Sequence, residues 1–141
     1  MHELLSAFLI EFTENSIIMQ TRVLVVDDEP DCRNILKLLL IQNSYHVDSA
    51  ADGVEALKVI ENYQPHIVIT DVTMPRMDGI ELAGKMSMLN MDIPAIICSG
   101  GDLEELEERT NGNQLICNII KKPVERAALL RAIENAIDNT A

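Results

Sequence analysis

Four apolar runs stop abruptly on residues able to do chemistry. Val23-Leu24-Val25-Val26 ends at Asp27-Asp28-Glu29, Ile67-Val68-Ile69-Thr70 ends at Asp71, Ala95-Ile96-Ile97-Cys98 ends at Ser99, and Ile119-Ile120 is followed by Lys121-Lys122-Pro123. If these ends converge, three carboxylates, a hydroxyl and an ammonium share one edge. Ionised carboxylates about 4 Å apart repel by about 4 kcal/mol per pair at an effective dielectric near 20. A hard divalent cation removes that cost, and an all-oxygen donor set suits Mg²⁺ where zinc would want His or Cys. Three carboxylates and one ammonium leave −2, which one Mg²⁺ neutralises. With the cation in place, one carboxylate can act as nucleophile toward a phosphoryl group whose oxygens the metal, the ammonium and the hydroxyl stabilise. Asp71 stands alone and suits that role, while the adjacent Asp27 and Asp28 suit the metal. No His, Cys or second base is placed to drive rapid turnover.

These residues need a scaffold that brings strand ends together, and the hydrophobic pattern predicts one. Continuous apolar runs suit strands covered on both faces. Between them lie helical stripes: Cys32, Ile35, Leu36 and Leu39 after Pro30; Val54, Leu57 and Ile60 after Asp52-Gly53; Leu82, Ala83, Met86 and Leu89 after the Pro75 to Gly79 loop; Leu103 and Leu106; and Leu129, Leu130, Ile133 and Ile137. Tyr45 to Ser49 completes the set as a short second strand. Five βα repeats predict an α/β fold, a (βα)5 doubly wound parallel sheet, since a closed barrel would need eight. In such a sheet ligands bind outside the carboxyl ends of the strands, where strand order reverses.

Composition narrows the function classes. The chain has 141 residues, enough for one domain, with 11 Lys+Arg against 23 Asp+Glu and a formal net charge of −12. That sign disfavours direct nucleic-acid binding and docking on an anionic membrane. Cys32, Cys98 and Cys117 lack the close spacing of zinc or redox pairs and are expected as small buried hydrophobes. His46 and His66 have no second ligand at metal-binding spacing. No apolar run approaches the length of about 18 residues that spans a membrane, and no basic stretch precedes Leu4 to Ile10. A cytoplasmic protein is expected.

The ordered motifs Val25-Val26-Asp27-Asp28-Glu29, Ile69-Thr70-Asp71-Val72-Thr73-Met74-Pro75-Arg76-Met77-Asp78-Gly79, Cys98-Ser99-Gly100 and Lys122-Pro123 make the chain resemble a response-regulator receiver domain of two-component signalling. The resemblance covers about Arg22 to Asn139 and implies a flavodoxin-like sheet in the order 2-1-3-4-5, with residues 21–141 as the receiver. It implies that Asp71 accepts phosphate from a sensor histidine kinase or histidine phosphotransfer protein. Mg²⁺ would be held by Asp28, Asp71 and the backbone carbonyl of Thr73, with Asp27 acting through a metal-bound water. Ser99 would turn inward to meet the phosphoryl oxygens, Lys122 would pair with them, and the Lys122–Pro123 bond would be cis. Such a domain is a regulatory phosphoacceptor rather than an enzyme acting on another substrate, and a downstream output protein or domain is its further partner. Ile119 departs from the Tyr or Phe usual three positions before the lysine, which excludes the usual aromatic rotamer switch. Thr73 and Gly101 carry no acid or amide to orient a hydrolytic water, so slow self-dephosphorylation is expected.

Each motif has a plainer reading. Asp27-Asp28 can be a helix-capping pair, Asp71 and Ser99-Gly100-Gly101 turn residues, Lys122 a solvated strand end, and Glu104 to Glu108 a solvated helix face. Their joint occurrence in register decides against this for the four-motif set. Two rival functions are a phosphorylation-independent interaction module with the same fold and a small aspartyl-phosphate phosphatase of the haloacid dehalogenase type. The second places its nucleophile near the first strand with another acid two residues on, whereas Asp71 is in the third and precedes Thr73. Residues 1–20 form an N-terminal extension in which Leu4, Leu5, Phe8, Leu9 and Phe12 make a helical stripe, expected to dock on a partner or on a second copy in a homodimer.

Overall fold

The computed structural model describes residues 21–140, and the N-terminal extension lies outside them. Strand β1 (Arg22–Val26) begins a run in which every residue from Val23 to Val26 is buried, because both faces of the strand are covered. It is followed by α1 (Pro30–Gln42), β2 (His46–Ala50), α2 (Gly53–Tyr63), β3 (Ile67–Asp71), α3 (Gly79–Met88), β4 (Ala95–Ser99), α4 (Leu103–Thr110), β5 (Ile116–Lys121) and α5 (Arg126–Thr140). The five strands are parallel in the order β2-β1-β3-β4-β5, as the resemblance implied. Alternate residues feed opposite layers. Val23, Val25, Ile67, Ile69 and Ile96 meet Leu40 of α1 and Leu129 and Ile133 of α5, while Leu24, Val26 and Val68 meet Ile60 of α2 and Leu82 and Met86 of α3. Each such buried aliphatic side chain contributes about 1.5–3 kcal/mol. A third cluster, Val72, Ile97 and Leu106, seats α4.

Helix starts are set by residue chemistry. Pro30 occupies the first turn of α1, where its missing N–H costs nothing. Asp52, Asp78 and Asp102 cap α2, α3 and α4 by accepting backbone N–H bonds. Burial opposes ionisation of Asp52 and Asp78, but amide bonds and the Arg76 and Arg109 guanidinium groups hold both carboxyls below their usual range. Both folded values lie below the unfolded ones, so the stability they confer is complete above about pH 4 and is lost as pH falls through the folded values. We expect the urea midpoint to drop on acidification below that range. Asp52→Asn/Asp78→Asn, which keeps capping oxygens without the charge, should flatten the drop.

Several expectations need correction. Strand β2 starts one residue later than Tyr45, whose ring is buried in the core. On α1, Ile35 is 67% exposed and Leu40, absent from the expected stripe, is fully buried. Leu103 is exposed, so Leu106 and Thr110 are the inward residues of α4. Of the cysteines only Cys98 is buried; Cys32 is half-buried and Cys117 lies exposed on the edge strand β5.

Candidate functional site

The connection after β1 runs to β2 on one side and the connection after β3 runs to β4 on the other, so a crevice opens between the carboxyl ends of β1 and β3. Val26 pairs with Thr70, which places Asp27 and Asp71 side by side one residue further along. Asp27, Asp28 and Asp71 each offer a carboxylate oxygen, all within 4.8 Å of one another. Asp27 is buried, and its Oδ1 accepts the Glu29 N–H at 2.9 Å. Burial pushes its carboxyl above the usual range, against the pull of that bond and of Lys122. Arg33 Nη1 donates to the Asp27 carbonyl at 2.7 Å and ties α1 to the same corner.

Lys122 reaches the crevice from the end of β5. Its Nζ is 3.1 Å from Asp71 Oδ1 and 4.0 Å from Asp27 Oδ2. Burial works against its charge, but the Asp71 hydrogen bond and the charges of Asp71 and Asp27 outweigh it and raise its pKa. It therefore stays an ammonium throughout the neutral range. The Lys122–Pro123 bond is cis, and the Lys122 N–H donates to the Ser99 carbonyl at 2.7 Å. Four of the expected site residues, Asp27, Asp28, Asp71 and Lys122, thus converge. Ser99 is buried at the end of β4, but its Oγ accepts the Gly101 N–H at 3.0 Å and is engaged with its own turn. Thr73 is exposed in the β3–α3 loop. Ile119 packs, half-buried, against the Val72, Ile97 and Leu106 cluster.

Gly79 fixes the backbone behind Asp71. A Cβ there would collide with the Asp71 carbonyl oxygen and stand 3.0 Å from Thr70 Oγ1. The carbonyl is backbone of the central strand β3 and cannot swing away. Gly79→Ala is expected to cost about 3 kcal/mol through overpacking, measured by urea unfolding, and to displace Asp71 with it.

Two ion pairs around the site have no signal in the sequence. Arg76 pairs with the α2 cap Asp52, and Arg109 of α4 with the α3 cap Asp78 at 2.8 Å. Asp-Gly at a helix start signals the cap but not its distant cation.

The sequence model for the response regulator receiver domain matches residues 23–134. The chain belongs to that family. Among curated relatives of this receiver domain, Response regulator MprA of Mycobacterium sp. (strain KMS) is 40% identical over 94 residues, which cover 67% of this chain and 40% of that protein. The receiver domain thus spans less than half the length of that relative. A response regulator receiver domain protein from Clostridium thermocellum superposes with a TM-score of 0.78 at 29% identity, over 85% of this chain and 96% of that one. The response regulator TrrA from Thermotoga maritima, solved in complex with Mg(2+)-BeF, gives 0.74 at 28% identity, over 83% and 99% of the two chains. In the receiver domain described here the crevice donors are carboxylate oxygens, which fit a hard divalent cation.

Proposed function

We propose that Asp71 is the phosphoacceptor of a two-component system, taking a phosphoryl group from a sensor histidine kinase or histidine phosphotransfer protein. The observation that carries this reading is the Lys122 ammonium 3.1 Å from Asp71 in a crevice shared with two further carboxylates. An Asp71 oxygen attacks phosphorus, the bond from phosphorus to the donor's imidazole nitrogen breaks, and that nitrogen keeps the electron pair. Lys122 follows the phosphoryl oxygens and offsets their charge. Asp27, Asp28, Asp71 and the Thr73 carbonyl would hold Mg²⁺, which supplies Lewis-acid neutralisation of the same oxygens.

Ser99 leaves its bond to the Gly101 N–H and turns to the phosphoryl group, and this second state regulates a downstream output protein or domain. With Ile119 in place of an aromatic ring, the change reaches α4 through Val72, Ile97 and Leu106. Among the described residues no helix is long and apolar enough to cross a membrane, and we place the domain in the cytoplasm beside its phosphodonor. The decisive experiment is incubation with acetyl phosphate and Mg²⁺, followed by intact mass. One phosphoryl group should be gained, and the gain should vanish on chelation and in Asp71→Asn; no uptake by the parent chain would overturn the reading.

A further inference from the structure

The β3–α3 loop, residues 72–78, carries the Thr73 carbonyl, yet among the described residues nothing in the acidic crevice holds its middle. Its ends are tied by the Val72 N–H to the Cys98 carbonyl at 3.2 Å and by the Gly79 N–H to the Val72 carbonyl at 3.1 Å. Met74 of that middle is buried in the core, and the stretch beyond it is held from the other side, by the start of α2. Arg76 Nε donates to Asp52 Oδ2 at 2.9 Å, and Arg76 Nη2 donates to the same oxygen. One residue along on both segments, the Gly53 N–H donates to the Met77 carbonyl at 3.3 Å. The loop lies so close to the helix that a Cβ on Gly53 would stand 2.8 Å from Met77 Cγ and 2.9 Å from the Met77 carbonyl oxygen.

The two partners are unequal. Asp52 is 6% exposed, and its other oxygen is fixed as the α2 cap by the Glu55 N–H at 2.9 Å. Arg76 is mostly exposed and adopts a φ of 66°, a left-handed conformation that non-glycine residues take at a cost. An exposed side chain on a strained backbone is thus held by a buried carboxylate that packing and capping have already placed. The pair ties the loop to α2 at a point outside the acidic crevice.

We infer that Arg76 and Asp52 form a positioning latch, which holds the β3–α3 loop so that the Thr73 carbonyl is presented to the same cation as Asp28 and Asp71. This rests on the metal reading above. Outer partners that orient metal ligands are generally worth about 10–100-fold in metal affinity. The latch acts through three residues of backbone, so the low end of that range applies.

The test uses the full chain and its Arg76→Ala, Arg76→Gly and Arg76→Lys variants, with Mg²⁺ affinity read by calorimetric titration and amide exchange by NMR without metal. Glycine suits the left-handed backbone, so Arg76→Gly removes the ion pair while relieving the strain. Both Arg76→Ala and Arg76→Gly should weaken Mg²⁺ binding about tenfold. Both should speed exchange of the Gly53 and Gly79 amides by a similar factor, with β1 and β4 amides unchanged, and Arg76→Lys should recover part of each effect. Unchanged Gly53 and Gly79 exchange in both variants would overturn the latch whatever the metal does. Faster exchange with Mg²⁺ affinity within twofold of the parent would overturn the positioning role. A parent chain that binds no Mg²⁺ would defeat the metal reading and the positioning role with it, and the parent titration alone identifies that failure.

Discussion

Asp71→Asn is expected to abolish phosphoryl uptake from acetyl phosphate while leaving the fold intact. The amide keeps the size of the side chain and its place at the end of β3, but it lacks the anionic oxygen that attacks phosphorus. The effect on stability is small because two changes oppose each other. The ion pair to Lys122 at 3.1 Å is lost, and so is the repulsion between Asp71 and the carboxylates of Asp27 and Asp28, whose oxygens lie within 4.8 Å of its own. Lys122 keeps a partner in Asp27 at 4.0 Å. Thermal unfolding should therefore shift by no more than about 1 kcal/mol equivalent, the usual scale for a partly exposed pair. Intact mass and peptide mapping give the result. Phosphate retained on another carboxylate would assign the acceptor elsewhere, and no uptake by either protein would favour the phosphorylation-independent module. Rapid multiple turnover of a phosphate ester by the parent chain, by contrast, would favour the phosphatase.

The strand ends were readable because each apolar run breaks on a polar residue, and parallel topology sends all those breaks to one edge. Asp27, Asp28, Asp71 and Lys122 therefore meet as expected. The α1 stripe was less readable: Leu38-Leu39-Leu40-Ile41 is apolar at every position, so helical spacing alone does not select the inward face, and tertiary packing chose Leu40 over Ile35. Cys117 is the extra residue where the β4–β5 register shifts, between Ile116 paired with Ala95 and Asn118 paired with Ile96, an irregularity that an apolar pattern does not signal. Ser99 shows a different limit. Its place at the end of β4 follows from pattern, but the direction of its hydroxyl depends on a local choice between the Gly101 N–H and the crevice. Arg76 and Asp52 are 24 residues apart, and each fills a turn position that would be polar in any case. Only the packing of the β3–α3 loop on α2 reveals them as partners.

Lys122→Met is expected to move phosphoryl uptake and metal affinity in opposite directions. Methionine keeps much of the apolar stem and removes the ammonium 3.1 Å from Asp71 Oδ1. A charged donor aimed at oxygens that gain charge in the transition state is worth about 10²–10³ in rate, so uptake from acetyl phosphate should fall at least a hundredfold. Without the ammonium, however, the crevice carries −3 instead of −2, and a dication is attracted more strongly. Lys122 is about a third exposed (32%), which screens the gain to several-fold rather than the full Coulomb value. The metal-free protein should lose stability at neutral pH, because Lys122 is the one side chain among those acting on Asp27 that lowers its carboxyl. Its removal raises that folded value further above the unfolded one. For an acid the sign then runs toward recovery on acidification: the folded state takes up the proton first, and stability returns as pH falls through the raised value toward the unfolded one. Calorimetric Mg²⁺ titration, uptake kinetics at saturating Mg²⁺ and urea unfolding between about pH 7 and pH 5 separate these effects. If Mg²⁺ affinity and uptake fell together, Lys122 would be acting by holding the crevice in shape; tighter metal with slower uptake requires that it act through its charge on the transferring group.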